Sequence, residues 1–268
     1  MEKNIPRFTG DFAKSYEKNL GPFLFEPFAK DLANRVNKNS TVSILEIASG
    51  TGRVTKHLRK NLPLPVKISA TDISEDMLAI AKELLKDHSI EFLTADAQDL
   101  PYDDNSFDTV ICQFGIMFFP DKPKAMSEAY RVLKPGGVML FNTWDKIENN
   151  PLVHTSHKFV NEFFKNDPPA FYKIPFSMYD RNELSELMTN AGFKNIEIEY
   201  VTLKGVSENS NDLVHGLIKG NPIYNEILDK DPEAPDRIVT ELEKEISKLF
   251  GSKPVVSDLS AWICKGVK

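Results

Sequence analysis

Several things are scarce in this sequence, and each scarcity removes a class of protein. There are only two cysteines in 268 residues. Cys112 and Cys264 both fall in apolar, strand-like runs, so buried free thiols in a reducing cytoplasm are expected. No stretch approaches the roughly 18 consecutive apolar residues of a membrane span. The opening Met1-Glu2-Lys3-Asn4-Ile5-Pro6-Arg7 has no apolar core of the signal-peptide kind, so no secretory signal is expected. Basic charge is short too: 33 Lys and Arg against 39 Asp and Glu give a formal charge of −6. Nucleic-acid binding wants a basic face, and this balance argues against it. No internal repeat, low-complexity tract or long linker is found. Metal ligands are equally thin. His154 and His157 sit at i, i+3 on an expected helix, with no carboxylate at matching spacing, so no metal is expected.

What is present is an ordinary globular composition, 41% apolar and 27% charged, on a chain long enough for a full α/β core. From Ser40 onward strands and helices alternate. Val42 to Ile47, Val66 to Thr71, Ile90 to Ala95, Thr109 to Cys112 (led by Phe107) and Val138 to Thr143 read as strands. Arg53 to Lys60, Glu75 to Lys86 and Lys122 to Leu133 read as the helices between them. Runs such as Val110-Ile111-Cys112 suit parallel strands buried on both faces. Right-handed crossovers then give a doubly wound sheet. Pro135-Gly136-Gly137 reads as the turn before the fifth strand.

Beyond Trp144 the pattern loosens. Pro151 to Phe164 reads as a helix and Asn166-Asp167-Pro168-Pro169 as a linker. Asp180 caps a helix from Arg181 to Ala191 that Gly192 ends. Ile196 to Leu203 and Val255 to Cys264 complete seven strands, with two or three helices between Asp212 and Phe250. The expected organisation is an α/β domain over 41–268, elaborated at about 150–178 and 205–252, behind a helical lid over 1–40. In the lid, Phe12 to Tyr16 and Leu24 to Val36 read as two helices broken at Gly21-Pro22. Its aromatic residues, Phe8, Phe12, Tyr16, Phe23, Phe25 and Phe28, exceed what two short surface helices need.

The chemistry centres on Val42 to Arg53: an apolar strand, Glu46, a small-residue turn, then a helix. Ala48, Gly50 and Gly52 let a ligand approach the backbone, and the helix start offers unpaired N–H groups. Such a turn can hold a carboxylate or a pyrophosphate. Asp72 ends the second strand and can accept from a ribose diol; Asp96 ends the third. Ligands of open α/β sheets sit at these carboxyl ends. A dinucleotide fingerprint places its third glycine on Thr55, and Glu46 would repel a pyrophosphate. S-adenosylmethionine, cationic and free of phosphate, suits the charge pattern better. The Gly50, Gly52 and Asp72 set keeps an NAD(P)-dependent oxidoreductase as the alternative, beside a non-catalytic S-adenosylmethionine-binding protein.

Leu45-Glu46-Ile47-Ala48-Ser49-Gly50-Thr51-Gly52 resembles motif I of class I S-adenosylmethionine-dependent methyltransferases. Ala70-Thr71-Asp72-Ile73-Ser74-Glu75-Asp76-Met77-Leu78 resembles the second motif. Asp96-Ala97, Leu100-Pro101-Tyr102 and Ser106-Phe107-Asp108 resemble the third, and Leu133-Lys134-Pro135-Gly136-Gly137 the turn before strand five. The resemblance is to the branch that includes quinone-biosynthesis and small-molecule enzymes, and it spans residues 40–145. It implies a Rossmann-like fold and S-adenosylmethionine as cofactor. It implies that Asp72 holds the ribose, Ile73 and Met77 the adenine, and Asp96 the adenine amino group beside Ala97. Glu46, Ala48, Ser49, Gly50 and Gly52 form the cofactor loop, where Ala48 replaces the usual glycine. Gln113 and Phe114 fall near the sulfonium, and Tyr16 and Phe25 on the lid.

The implied reaction is an in-line methyl displacement. The Asn/Asp-Pro-Pro-Tyr/Phe signature of amide and base-amino methylation is missing after strand four. Instead Gln113 to Phe119 is largely apolar, so Met117, Phe118 and Trp144 are expected to meet a small hydrophobic or aromatic substrate. No catalytic residue follows from the pattern; His154 and His157 are the candidates for a base at the site mouth.

Overall fold

Alternating strand and helix patterns close into one seven-stranded sheet in the computed structural model, which describes residues 11–268. The first ten residues of the expected lid, Phe8 among them, lie outside the described residues. The strands are β1 (Ser43–Ile47), β2 (Lys67–Asp72), β3 (Ile90–Thr94), β4 (Phe107–Gln113), β5 (Leu133–Trp144), β6 (Lys194–Ser207) and β7 (Val255–Val267). The helices are α1 (Asp11–Ser15), α2 (Glu26–Asn34), α3 (Arg53–Asn61), α4 (Glu75–Leu85), α5 (Lys122–Val132), α6 (Pro151–Phe164), α7 (Arg181–Asn190), α8 (Ser210–Lys219), α9 (Ile223–Lys230) and α10 (Ala234–Phe250).

Sheet order is β3-β2-β1-β4-β5-β7-β6. The first five strands run parallel, and β7 is antiparallel to both β5 and β6. Order therefore reverses between β1 and β4, and the turns after those two strands frame the crevice where such sheets bind ligands. Central strands are buried on both faces: Ile44, Leu45, Val110, Ile111 and Phe141 have no exposure. Helix starts are chemically marked. The Ser74 hydroxyl accepts from Met77 N, Asp121 from Lys124 N, and Asp180 from the amides of Asn182 and Glu183.

Two local expectations are corrected. Gly21-Pro22 does not break the lid. Tyr16–Phe25 winds as a π-helix that runs straight into α2. In that wider winding Pro22 would leave the Glu17 carbonyl without its N–H partner, and Arg53 Nη2 donates to that carbonyl at 2.7 Å instead. Likewise Pro135-Gly136-Gly137 is not a separate turn. β5 begins at Leu133, paired with Phe107, and the register jumps to Val138 opposite Thr109, so the excess residues bulge.

Candidate functional site

The turn after β1 is built on left-handed backbone. Ala48, Gly50 and Gly52 have φ of 54°, 56° and 82°. Glycine adopts this freely, whereas alanine costs roughly 1–2 kcal/mol. Ala48 is tolerated because it faces another glycine: a Cβ on Gly115 would lie 2.6 Å from the Ala48 Cβ. Glu46, just before the turn, is buried, and Thr55 Oγ1 donates to its carboxylate at 2.5 Å. The two residues that depart from a dinucleotide fingerprint are thus each other's partner. Burial pushes the Glu46 carboxyl up to about 8, against the Thr55 hydrogen bond and with help from the Asp72 charge.

Asp72 leaves β2 beside this turn. One carboxylate oxygen accepts from Gly50 N and the other from Ser74 N, both at 2.8 Å. Burial raises its pKa, opposed by backbone N–H groups of Ser74, Gly50 and Ile73. Each oxygen keeps a further lone pair for a ligand hydroxyl. Asp96, one strand over, is exposed and accepts from Gln98 N at 2.8 Å and from the Gln98 carboxamide.

These groups border one large cavity of about 1380 Å³, its open mouth included. Asp72, Ile73, Met77, Asp96 and Ala97 line one end, with Ala48 and Gly50 at the turn. Tyr16, Phe25, Gln113 and Phe114 line its middle, and Met117, Phe118 and Trp144 the other end. Glu46 and Ser49 instead line a recess behind the turn that Ala48, Gly50 and Gln113 share with the main cavity. The Ser49 hydroxyl and Gln113 Oε1 are buried with no hydrogen-bond partner. Gly52 lines neither space. It caps α3, where a Cβ would lie 3.1 Å from that of Ala81. Among the described residues, the main cavity has no Lys, Arg or His on its wall; its formal charges are Asp72 and Asp96. Such a wall accepts a cation and opposes a phosphate.

The lid is tied down over the turn. Arg53, on the first turn of α3, reaches Glu17 at 2.6 Å and Glu26 at 2.8 Å. Thr51 Oγ1 donates to the same Glu17 carboxylate. Burial opposes ionisation of Glu26, but hydrogen bonds with His57 and Arg53 outweigh it and hold the carboxyl below its ordinary value. Gln113 Nε2 donates to the Phe25 carbonyl at 2.8 Å, and Tyr16 stacks on Phe25 with centroids 4.9 Å apart.

The other end is aromatic. Phe114 stacks on Trp144 at 3.8 Å and 10°, while Phe28 packs edge-on to both. Phe114 has φ 51°, strained for a bulky side chain, and is held by its N–H donating to buried Asn142 at 2.9 Å. Neither His154 nor His157 lines the cavity. Helical phase aims Val153 of α6 inward, and His157 packs edge-on against Tyr172 at 5.3 Å, bonded to Asn161. Burial and the nearby His154 lower the His157 pKa.

Residues the sequence did not flag also line the cavity: Phe171, Tyr172 and Phe176 from the segment after α6, and Leu217 and Asn221 from α8 and the turn beyond it. The aromatic spacing Phe171-Tyr172…Phe176 after the Pro168-Pro169 linker was the available signal. Asn221 offered none. No helix among the described residues is long and apolar enough to cross a membrane.

Comparison with known proteins agrees with this architecture. A family model described as the ubiE/COQ5 methyltransferase family matches residues 25–208, more than half of the chain. Ubiquinone/menaquinone biosynthesis C-methyltransferase UbiE of Idiomarina loihiensis is 29% identical over 60% of this chain and 70% of its own. The enzyme of the same name from Escherichia coli K12 is 30% identical, over 60% and 69%. Among solved structures, phosphoethanolamine N-methyltransferase 2 of Haemonchus contortus, in complex with S-adenosyl-L-methionine, superposes with a TM-score of 0.61 at 19% identity, covering 97% of this chain and 57% of that one. An S-adenosylmethionine-dependent methyltransferase from Thermotoga maritima gives 0.58 at 20% identity, covering 98% of each. These two likenesses concern the fold.

Proposed function

The chain belongs to the ubiE/COQ5 methyltransferase family, and from that premise we propose that it methylates a neutral, aromatic small molecule of the quinone type. It is an S-adenosylmethionine-dependent methyltransferase. The observation that carries the acceptor class is the aromatic half of the cavity, continuous with the glycine turn and free of basic side chains among the described residues. The relatives' names point to quinone rings, and a wall built from Phe114, Trp144 and Phe118 suits a flat apolar ring.

The residues present fit the cofactor. Asp72 takes the ribose hydroxyls on its free lone pairs. Ile73 and Met77 pack the adenine, with Asp96 and the Ala97 backbone at its edge. Ala48, Ser49 and Gly50 surround the methionine portion, where the Ser49 hydroxyl is buried and unpartnered; Glu46 acts by holding the loop through Thr55. When bound, the cofactor would supply an activated methyl group, whose bond to sulfur breaks as the bond to the acceptor forms and the acceptor's displaced proton leaves to solvent. The protein contributes alignment and dryness. Phe25 and Tyr16, held by the Arg53 clasp and by Gln113, exclude water above the junction, and Phe114 and Trp144 fix the ring plane.

Among the described residues, 11–40 serve as the lid and 41–268 as the catalytic domain, elaborated at about 150–178 and 205–252. The elaborations supply acceptor contacts. The acidic balance and the wall without cations suit a small-molecule partner rather than nucleic acid, in the cytoplasm. The test is transfer of isotopically labelled methyl from S-adenosylmethionine to chemically reduced naphthoquinols and benzoquinols, against a panel of amines and thiols. Labelled ring-methylated quinol is expected. Transfer to amines or thiols alone would overturn the acceptor class.

A further inference from the structure

The aromatic end of the cavity is walled from two parts of the chain. Phe118 and Trp144 come from the sheet side, just after β4 and at the end of β5. Phe171 and Phe176 come from the connection between α6 and α7. Phe171 pairs with Phe118 at 6.5 Å between centroids and 20° between planes, and Phe176 pairs with Trp144 at 6.2 Å and 30°. All four residues line the cavity. Neither pair is closed face to face in the way that Phe114 closes on Trp144 at 3.8 Å. We propose that Phe171 and Phe176 are specificity-determining residues that select the acceptor by flatness, admitting a planar ring system along both pairs and disfavouring a puckered one of the same size. This rests on the quinone-type reading and adds to it the residues that discriminate.

The two phenylalanines are carried on a braced segment. The connection from Phe164 to Arg181 contains one short helical turn, Phe171–Lys173. A stretch of this length between helices is uncommon and usually functional. Pro168, Pro169 and Pro175 fix φ along it. Glu226 and Lys230, one turn apart on α9, grip it from outside. The Glu226 carboxylate accepts from Ala170 N at 2.5 Å, and Lys230 Nζ reaches Asp167 at 2.5 Å. The first contact holds more firmly, because Asp167 is largely exposed to solvent. At the other end Lys146 lies over the Tyr179 ring at 5.1 Å, and Asp180 caps α7. Between these anchors Tyr172 links the two phenylalanines, 5.8 Å from Phe171 and 6.3 Å from Phe176.

Shape decides what this end accepts. Carbon atoms in contact lie roughly 3.5–4 Å apart, so a flat ring can lie along an aromatic face over its whole area. The out-of-plane hydrogens of a saturated ring hold the same face off and forfeit much of that contact. Aromatic pairs also contribute beyond the area they bury. A braced segment cannot swell freely to take the thicker ring, and overpacking a built wall is costly. Charge gives no competing preference here: among the described residues the wall has no cation, and Asp72 and Asp96 stand at the cofactor end. The two phenylalanines therefore act on acceptor binding, away from the residues that hold the cofactor.

The test compares 1,4-dihydroxynaphthalene with its 5,6,7,8-tetrahydro derivative, which keeps the quinol ring and its hydroxyls but puckers the second ring. Both are offered as methyl acceptors to the wild type, Phe171→Leu and Phe176→Leu, with thermal melting as the check on folding. The wild type is expected to favour the flat compound about tenfold or more in kcat/KM. Each variant should cut that preference about three- to tenfold, by raising KM for the flat compound while leaving its kcat and calorimetric binding of S-adenosylhomocysteine unchanged. No preference in the wild type, equal losses on both compounds, or an unchanged preference in both variants would overturn the assignment while leaving the quinone-type reading intact. Transfer to neither compound by the wild type would overturn that reading and this one with it.

Discussion

Replacing Asp72 with asparagine tests the cofactor site through a group whose geometry is fully specified. Its two oxygens accept from Gly50 N and Ser74 N, both at 2.8 Å. An asparagine offers one oxygen, so its NH₂ group must point at one of those amides. The unmet backbone donor costs about 1–3 kcal/mol. The ribose also loses a charged acceptor, worth about 1.5–3 kcal/mol. The first loss is present in the free and the bound protein alike and lowers stability, so the second sets the affinity, weakened roughly 10- to 100-fold. Isothermal titration with S-adenosylhomocysteine near neutral pH reads this directly, with thermal melting as the check on folding. Asp96→Asn, at an exposed carboxylate already satisfied by Gln98, should weaken binding less than about tenfold. If Asp72→Asn binds within about threefold of the wild type while folded, the ribose does not sit on this carboxylate.

Other consequences follow from the buried charges and the tight turn. Glu46 keeps its proton in the folded chain up to about 8, while the unfolded chain releases it near 4.5, so stability falls as pH rises through that window and levels off above it. Glu46→Gln should flatten this dependence in urea titrations across the window, by at most about 5 kcal/mol at its alkaline end; a profile parallel to the wild type would contradict the burial argument. Arg53→Met leaves Glu17 and Glu26 without their shared cation, a loss of roughly 1–3 kcal/mol for a partly buried cluster. Proteolysis within 11–40 and release of S-adenosylhomocysteine, followed by stopped flow, should both quicken. Gly115→Ala places a Cβ 2.6 Å from that of Ala48 and 2.9 Å from Cys112 Sγ. It should lose about 1–3 kcal/mol by calorimetry, partly recovered on adding Ala48→Gly; no recovery would show that the Ala48 contact is not the obstacle.

The parallel core was legible because its physics is local and periodic. Val110-Ile111-Cys112 reads as a doubly buried strand whatever surrounds it, and β1 to β4 fall within a residue or two of their expected limits. That the turn, Asp72 and Asp96 share one edge of the sheet was readable for the same reason, since strand ends align once the sheet is parallel. The partnership of Glu46 with Thr55 was half readable: both residues stood out as misfits nine positions apart, and a single helical turn after the loop brings them together. The lid was misread at Gly21-Pro22 because the π-helix is stabilised from outside itself, by Arg53 donating to the Glu17 carbonyl. Tyr172 and Asn221 escaped notice because nothing periodic marks a residue that reaches the cavity from a connecting segment. The placement of a histidine at the mouth failed on helical phase, which turns Val153 inward and His157 onto Tyr172.

A cocrystal structure with S-adenosylhomocysteine tests the central claim most directly. The account predicts both ribose hydroxyls on the Asp72 carboxylate, adenine between Ile73 and Met77, and the sulfur at the junction of Ala48, Gln113 and Phe114, facing the Trp144 end. A nucleoside bound elsewhere, or a sulfur turned away from the aromatic half of the cavity, would contradict it.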